Sequence, residues 1–133
     1  MKQRPMLTLD DCKKISAAAE AEARKNNWNV CIAILDDGGH LLHLARMDGA
    51  TPANARIALE KGRTAAETRR STANWQERVG KRVELLRMPG VTPVQGGLPI
   101  VFDGTCVGAV GISGVQSHED EQVASAGIAA LKP

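Results

Sequence analysis

The chain has 133 residues, with 17 Lys+Arg against 15 Asp+Glu and a formal net charge of +2. That length predicts one domain spanning 1–133, and a charge so near balance argues against an electrostatic DNA binder. Its only Trp, Tyr or Phe side chains are Trp28, Trp75 and Phe102, too few for a platform that stacks single-stranded nucleic acid.

No apolar run approaches the ~18 residues of a membrane span. Met1 to Pro5 leads into a polar helical pattern rather than an apolar leader. Cys12, Cys31 and Cys106 are odd in number, far apart and without C-x-x-C spacing, which excludes a full disulfide framework and a Cys-rich zinc knuckle. Cys31 and Cys106 lie in apolar runs, where the thiol acts as a small buried hydrophobe. A reducing cytoplasm is the expected compartment.

Thr8-Leu9-Asp10-Asp11 has the form of a capping box, and Cys12, Ile15, Ala19 and Ala23 recur at helical spacing up to Asn26-Asn27. Val30 to Leu35 reads as a strand buried on both faces. Asp36-Asp37-Gly38-Gly39 is turn chemistry, and His40 to Arg46 returns as a hairpin. Thr51-Pro52 starts a second helix towards Glu67. Ser71 or Thr72 starts a third, with Trp75, Val79, Val83 and Leu86 on one stripe until Met88-Pro89-Gly90. Val91 to Val94 reads as a short strand. Leu98 to Phe102 and Thr105 to Ser113 form a second hairpin. Ser117 to Asp120 is a capping box before a helix through Leu131. Two hairpins among helices specify an α+β fold with a mainly antiparallel sheet. So many Ala and Gly leave little bulky core, which favours oligomerisation.

Residues 61–87 carry a local +5 (eight basic, three acidic) and residues 88–133 a local −3 (one basic, four acidic). This is either a solvated face with dipole-matching acids, or a basic wall for a small anion. His40 and His43 are spaced for opposite strand faces, and His118 falls in a helix first turn; no metal site follows from spacing. Ser113, in Gly111-Ile112-Ser113-Gly114, lacks the G-x-S-x-G elbow. Gly96-Gly97-Leu98-Pro99 is either a loop with unusual dihedrals or an N–H cradle for an anion. The residue chemistry amounts to anion-friendly loops without an identifiable catalytic set.

Six segments occur in a familiar order: Leu7-Thr8-Leu9, Arg46-Met47-Asp48-Gly49-Ala50, Lys61-x-x-Thr64-Ala65, Gly96-Gly97-Leu98-Pro99, Gly108 to Gly114, and Asp120-Glu121. Together they resemble the GlcG/HbpS family, also called the haem-degrading domain family, over essentially the whole chain. They are also similar to the C-terminal domain of PduO-type corrinoid adenosyltransferases. The resemblance implies a profilin-like α/β sandwich, an antiparallel sheet of about five strands flanked by helices, and homo-oligomers from dimer to octamer. It implies a small-molecule site drawing on Arg46, Asp48, Gly49, Lys61, Thr64, Gly96, Gly97 and Asp120, with haem as the cofactor in some members.

The chain departs from a haem-sensing relative at Asn29, where that relative has a histidine before the first strand. Axial ligation of haem would then fall to His40, His43 or His118. Three readings remain. One is a binding module for haem or another planar carboxylate. The second is a catabolic enzyme for an unsaturated keto- or semialdehyde acid, with Arg46 orienting the carboxylate and Asp48, His118 or Glu119 moving protons. The third is an oligomeric accessory protein in which Arg46 pairs with Asp48 or Asp120.

Overall fold

The computed structural model describes residues 1–131. Thr8 opens α1 (Leu9–Lys25) with a reciprocal cap: its hydroxyl accepts from the Asp11 amide at 3.1 Å, and the Asp11 carboxylate accepts from the Thr8 amide at 2.9 Å. The stripe Cys12, Ile15, Ala19 and Ala23 is fully buried. The Thr8 amide, helped by its hydroxyl, holds the Asp11 carboxyl below its ordinary value. A lowered carboxyl contributes stability that is present above the unfolded value and is lost as pH falls through the folded one. Asp11→Asn is therefore expected to destabilise by roughly 0.3–1 kcal/mol at neutral pH, with the gap to wild type closing in acid. Urea midpoints across the acid range check this; a gap that acid leaves unchanged would count against the cap.

β1 (Cys31–Asp36) and β2 (Leu41–Arg46) form the first hairpin. Its turn is tied by Asp36 Oδ1, which accepts from the amides of Gly38 and His40, each at 2.9 Å. Partial burial opposes the Asp36 charge, but those amides and the His40 ring outweigh it and hold the carboxyl below its usual range. The second hairpin is β3 (Gly97–Phe102) and β4 (Thr105–Ser113). The sheet runs β2-β1-β4-β3 and is antiparallel throughout.

β1 is central and buried on both faces, as its solid apolar run requires. Ile32 and Ile34 face α1 and α4 (Ser117–Ala129), together with Ile15, Val110, Ile112 and Val123. Cys31, Ala33 and Leu35 face α2 (Pro52–Thr68). α2 lies over β1, β4 and β3 and barely reaches β2. It sits flush because small residues meet there: a Cβ on Gly111 would lie 2.5 Å from the Gly62 nitrogen and overlap the Ala58 carbonyl. The result is an α+β sandwich, helix–sheet–helices.

The sheet has four strands, where the sequence suggested about five. Val91 to Val94 is not a strand: Pro93 brings no N–H, the Val94 N–H turns back to the Thr92 carbonyl at 2.9 Å, and the flanking amides are taken by side chains. Thr92 N–H donates to Thr64 Oγ1 and Gln95 N–H to Gln76 Oε1, each at 2.9 Å. The third helix also differs. α3 (Thr72–Lys81) ends at Arg82, whose φ of −139° leaves the helical region. A separate 3-10 turn follows over Val83–Arg87, in which Leu85 is buried and Val83 is 70% exposed. Gly80 weakens the last turn of α3 at the point of the break. Finally, α4 is capped one residue earlier than expected: Glu119 Oε1 accepts from the Gln116 amide at 3.2 Å, while Asp120 is buried.

Candidate functional site

One groove lies at the end of the sheet where α1 hands over to β1. α1 closes in a Schellman motif, with Asn27 in the left-handed region (φ 58°), its N–H on the Arg24 carbonyl, and the Trp28 N–H reaching back to the Ala23 carbonyl at 2.8 Å. That turn seats the Trp28 ring against the core on the α1 side. The opposite wall is the turn after β2. Met47 N–H donates to the Val30 carbonyl and Ala50 N–H to the Met47 carbonyl. The Asn29 side chain lies across this turn so closely that a Cβ on Gly49 would overlap its amide. Arg24, Asn27, Trp28, Asn29 and Met47 line an open groove of about 280 Å³, just below the range of enclosed ligand sites. It combines an aromatic ring, a guanidinium, amides and a thioether.

The residues singled out from sequence divide into two places. Asp48 and Gly49 belong to the turn beside this groove, with Asp48 exposed. Arg46 stands opposite Cys31, on the α2 side of the sheet, and its Nε donates to the Ala50 carbonyl at 3.3 Å. Met47 lies within the Arg46-to-Ala50 segment that carries the family resemblance, whereas the sequence signal for Arg24 and Trp28 is Asn29, adjacent to Trp28 in the chain.

Lys61, Thr64, Gly96, Gly97 and Asp120 gather elsewhere, inside the protein. Lys61 and Asp120 are each 2% exposed. Lys61 Nζ donates to Asp120 Oδ2 and to the Ile112 carbonyl, both at 3.0 Å. Asp120 Oδ1 accepts from the Val115 amide at 3.1 Å. The Ile112 N–H donates to the Gly96 carbonyl, so the lysine continues the ladder where β3 has ended and joins α2 to α4 past the end of that strand. Gly96 has φ +134°, and a Cβ there would meet Lys61 Nζ and the Ile112 carbonyl at 2.8 Å, which is why only glycine suits this position. Burial pushes the Asp120 carboxyl above its ordinary value, and the Lys61 ammonium only partly offsets this. Gly97 N–H donates to Thr72 Oγ1 at 2.8 Å, and Thr64 Oγ1 donates to the Glu60 carbonyl at 2.9 Å.

None of the three histidines lines the groove. His40 Nδ1 sits 3.2 Å from Asp36 in the hairpin turn, His43 is half-buried on β2, and His118 is exposed in the first turn of α4. Glu119 is engaged by the α4 cap. Among the described residues no three of His, Cys, Asp or Glu converge as a metal site, and no helix is long and apolar enough to cross a membrane. Cys12, Cys31 and Cys106 are free thiols; the first two are buried, which raises their pKa, and Cys106 is half-buried.

The fold and sequence both match known proteins. A family model described as haem degrading protein HbpS-like matches residues 7–129. Protein GlcG of Escherichia coli K12 is 47% identical over 114 residues, covering 85% of each chain. The crystal structure of a double mutant of Streptomyces reticuli HbpS superposes with a TM-score of 0.92 at 32% identity, covering 100% of this chain and 92% of that one. A crystal structure of PduOC in complex with haem gives a TM-score of 0.88 at 26% identity, covering 96% of each. The resemblance carried by the six sequence segments therefore holds over the whole fold, and the chain belongs to the HbpS-like family of haem-degrading proteins.

Proposed function

We propose that this protein is a small-molecule binding module for a planar, carboxylate-bearing ligand, haem foremost, seated between the end of α1 and the Met47–Ala50 turn. The observation that carries this reading is the convergence of Trp28, Arg24, Asn29 and Met47 on one cavity. The half-buried Trp28 ring supplies apolar wall for a planar group, and the Arg24 guanidinium, whose Nε donates to Glu20 Oε2 at 2.8 Å, has its terminal nitrogens for a carboxylate. Family membership and the haem complex of PduOC support haem over other planar acids. With no histidine in the groove, the soft donor that would face a bound haem is the thioether of Met47, which is itself buried against the core. Bound haem would bring redox-active iron; the chain's own residues orient the macrocycle and hold its carboxylates. Three free cysteines suit a reducing compartment, and the proposal extends to a cytoplasmic protein that assembles with copies of itself.

A haemin titration followed in the visible spectrum tests this. The expected result is a saturable Soret shift. Arg24→Ala should weaken affinity by roughly 10-fold or more, the value of a hydrogen bond to a charged group. Met47→Leu, which conserves volume, should retain binding but change the ligand-field bands. Absence of a saturable shift would end the haem reading. A shift abolished by His118→Ala and indifferent to Arg24 and Met47 would move the site away from this groove.

A further inference from the structure

Another cavity opens at the other end of the sheet, beyond the Asp36 end of β1 rather than before its Cys31 end. Ala65, Ala66 and Ala109 pack together between α2 and β4. α2 stops at Thr68, where Arg69 turns into the left-handed region (φ 58°). The β3–β4 hairpin runs on, past the Pro99–Ala109 pair to Val101 opposite Cys106. This uncovered stretch is the floor of an open cavity of about 470 Å³, with Pro99, Val101 and Cys106 below and Arg4, Asp37 and Arg69 on its walls. The volume suits a metabolite-sized molecule, and the lining shares no residue with the groove beside Trp28.

The walls are positively charged and one of their cations is fixed. Arg69 Nη1 donates to the Ala66 carbonyl at 2.6 Å and to the Asp37 carbonyl, which pins the guanidinium between the helix end and the β1–β2 turn. No carboxylate pairs with Arg69 among the described residues, and Asp37, the acid on the wall, is already paired with Arg4. The lining therefore keeps an uncompensated positive charge. Cys106 is half-buried, whereas Cys12 and Cys31 are sealed in the core. Its Sγ has only a weak contact to the Gly108 carbonyl at 3.4 Å. A partly exposed thiol beside positive charge is the setting of reactive cysteines.

We propose that this cavity takes a small carboxylate-bearing electrophile, with Arg69 holding the carboxylate and Cys106 Sγ attacking the electrophilic carbon. The guanidinium fork matches a carboxylate in shape as well as charge. With an α,β-unsaturated oxo acid, the thiol first gives its proton to solvent. The C–S bond then forms at the β-carbon, and the π electrons move through the α-carbon to the carbonyl oxygen as an enolate. Solvent returns a proton to the α-carbon. The product is a thioether; no group leaves and no outside oxidant or reductant is needed. This site is independent of the haem reading.

Iodoacetate and iodoacetamide test it, because they differ in charge and form the same bond: the thiolate makes C–S and iodide leaves. Alkylation rates of the native protein are read by intact mass, with peptide mapping to place the label. Cys106 should be labelled first. The ratio of iodoacetate to iodoacetamide rates should exceed that of the urea-unfolded chain by about 10-fold or more, the value of a hydrogen bond between charged groups. Arg69→Asn, a residue suited to the left-handed conformation, should bring the ratio to the unfolded value while the thermal melt by circular dichroism stays near wild type. Arg69→Lys should keep part of the preference, since the charge remains and the fork does not. β-Acetylacrylate, an unsaturated oxo acid, should add its whole mass to Cys106, and more slowly in Arg69→Asn. Labelling of Cys12 or Cys31 ahead of Cys106 would overturn the proposal. So would an iodoacetate preference that is absent or that survives Arg69→Asn. Carboxymethylation without a β-acetylacrylate adduct would overturn the unsaturated oxo acid as the electrophile.

Discussion

Asp120→Ala is expected to lower stability by about 3–5 kcal/mol, the cost of removing one partner of a buried ion pair. The reason is what remains. Lys61 is 2% exposed and would keep only the Ile112 carbonyl, so an ammonium would sit in the interior without a counter-charge. The link from α2 to α4 past the end of β3 would go with it. In a chain of this size the loss corresponds to a fall in Tm of roughly 10–20 °C. Lys61→Met should be costly for the mirrored reason, leaving the Asp120 carboxylate with the Val115 amide alone. The combination of Lys61→Met with Asp120→Leu should recover much of the loss, because apolar groups of similar volume often replace a buried pair at little net cost. Urea unfolding followed by Trp28 and Trp75 fluorescence, at fixed protein concentration, measures all three. Strict additivity of the two single effects would show that the pair is not a coupled unit.

Gly111→Ala is expected to be comparably damaging, at least about 3 kcal/mol, at the upper end for overpacking. The added carbon would overlap the Ala58 carbonyl and lie 2.5 Å from the Gly62 nitrogen. Those are backbone atoms of α2, so no rotamer change relieves them; the helix must lift from the sheet and open the layer formed by Ala33, Leu35 and Ala58. Gly80→Ala is the matched control. Nothing lies within 4 Å of a Cβ there, and the position is within α3, so alanine should stabilise by about 0.5–1 kcal/mol. If the two substitutions behaved alike, close approach of α2 to β4 would not be what position 111 protects.

The elements that were legible in the sequence are those set by contacts within a few residues. The Thr8–Asp11 cap, the Asp36–Gly39 turn, Pro52 at a helix start and the doubly buried β1 each follow from side chains acting on nearby backbone or from one unbroken apolar run. Where the reading differed, a distant partner had intervened. Val91 to Val94 has a strand's composition, but Thr64 and Gln76, 28 and 19 residues from their partners, take the amides that a ladder would use. Ser117-x-x-Asp120 has the form of a capping box, but Lys61, 59 residues away, holds Asp120 in the interior, and Gln116 with Glu119 caps α4 in its place.

By itself the sequence determined the α+β class, the order of the helices and the two hairpins and, through six short segments, the family, because periodicity, capping and turn chemistry are local and survive without a fold. Only the tertiary structure decided which charges are buried and which residues share a cavity. Lys61 looks like one more cation in a basic stretch until the sheet end encloses it. Arg24, Trp28 and Met47 come together only when the end of α1 is laid beside the turn after β2. Burial and convergence depend on pairs far apart in the chain, and no window along the sequence contains both members.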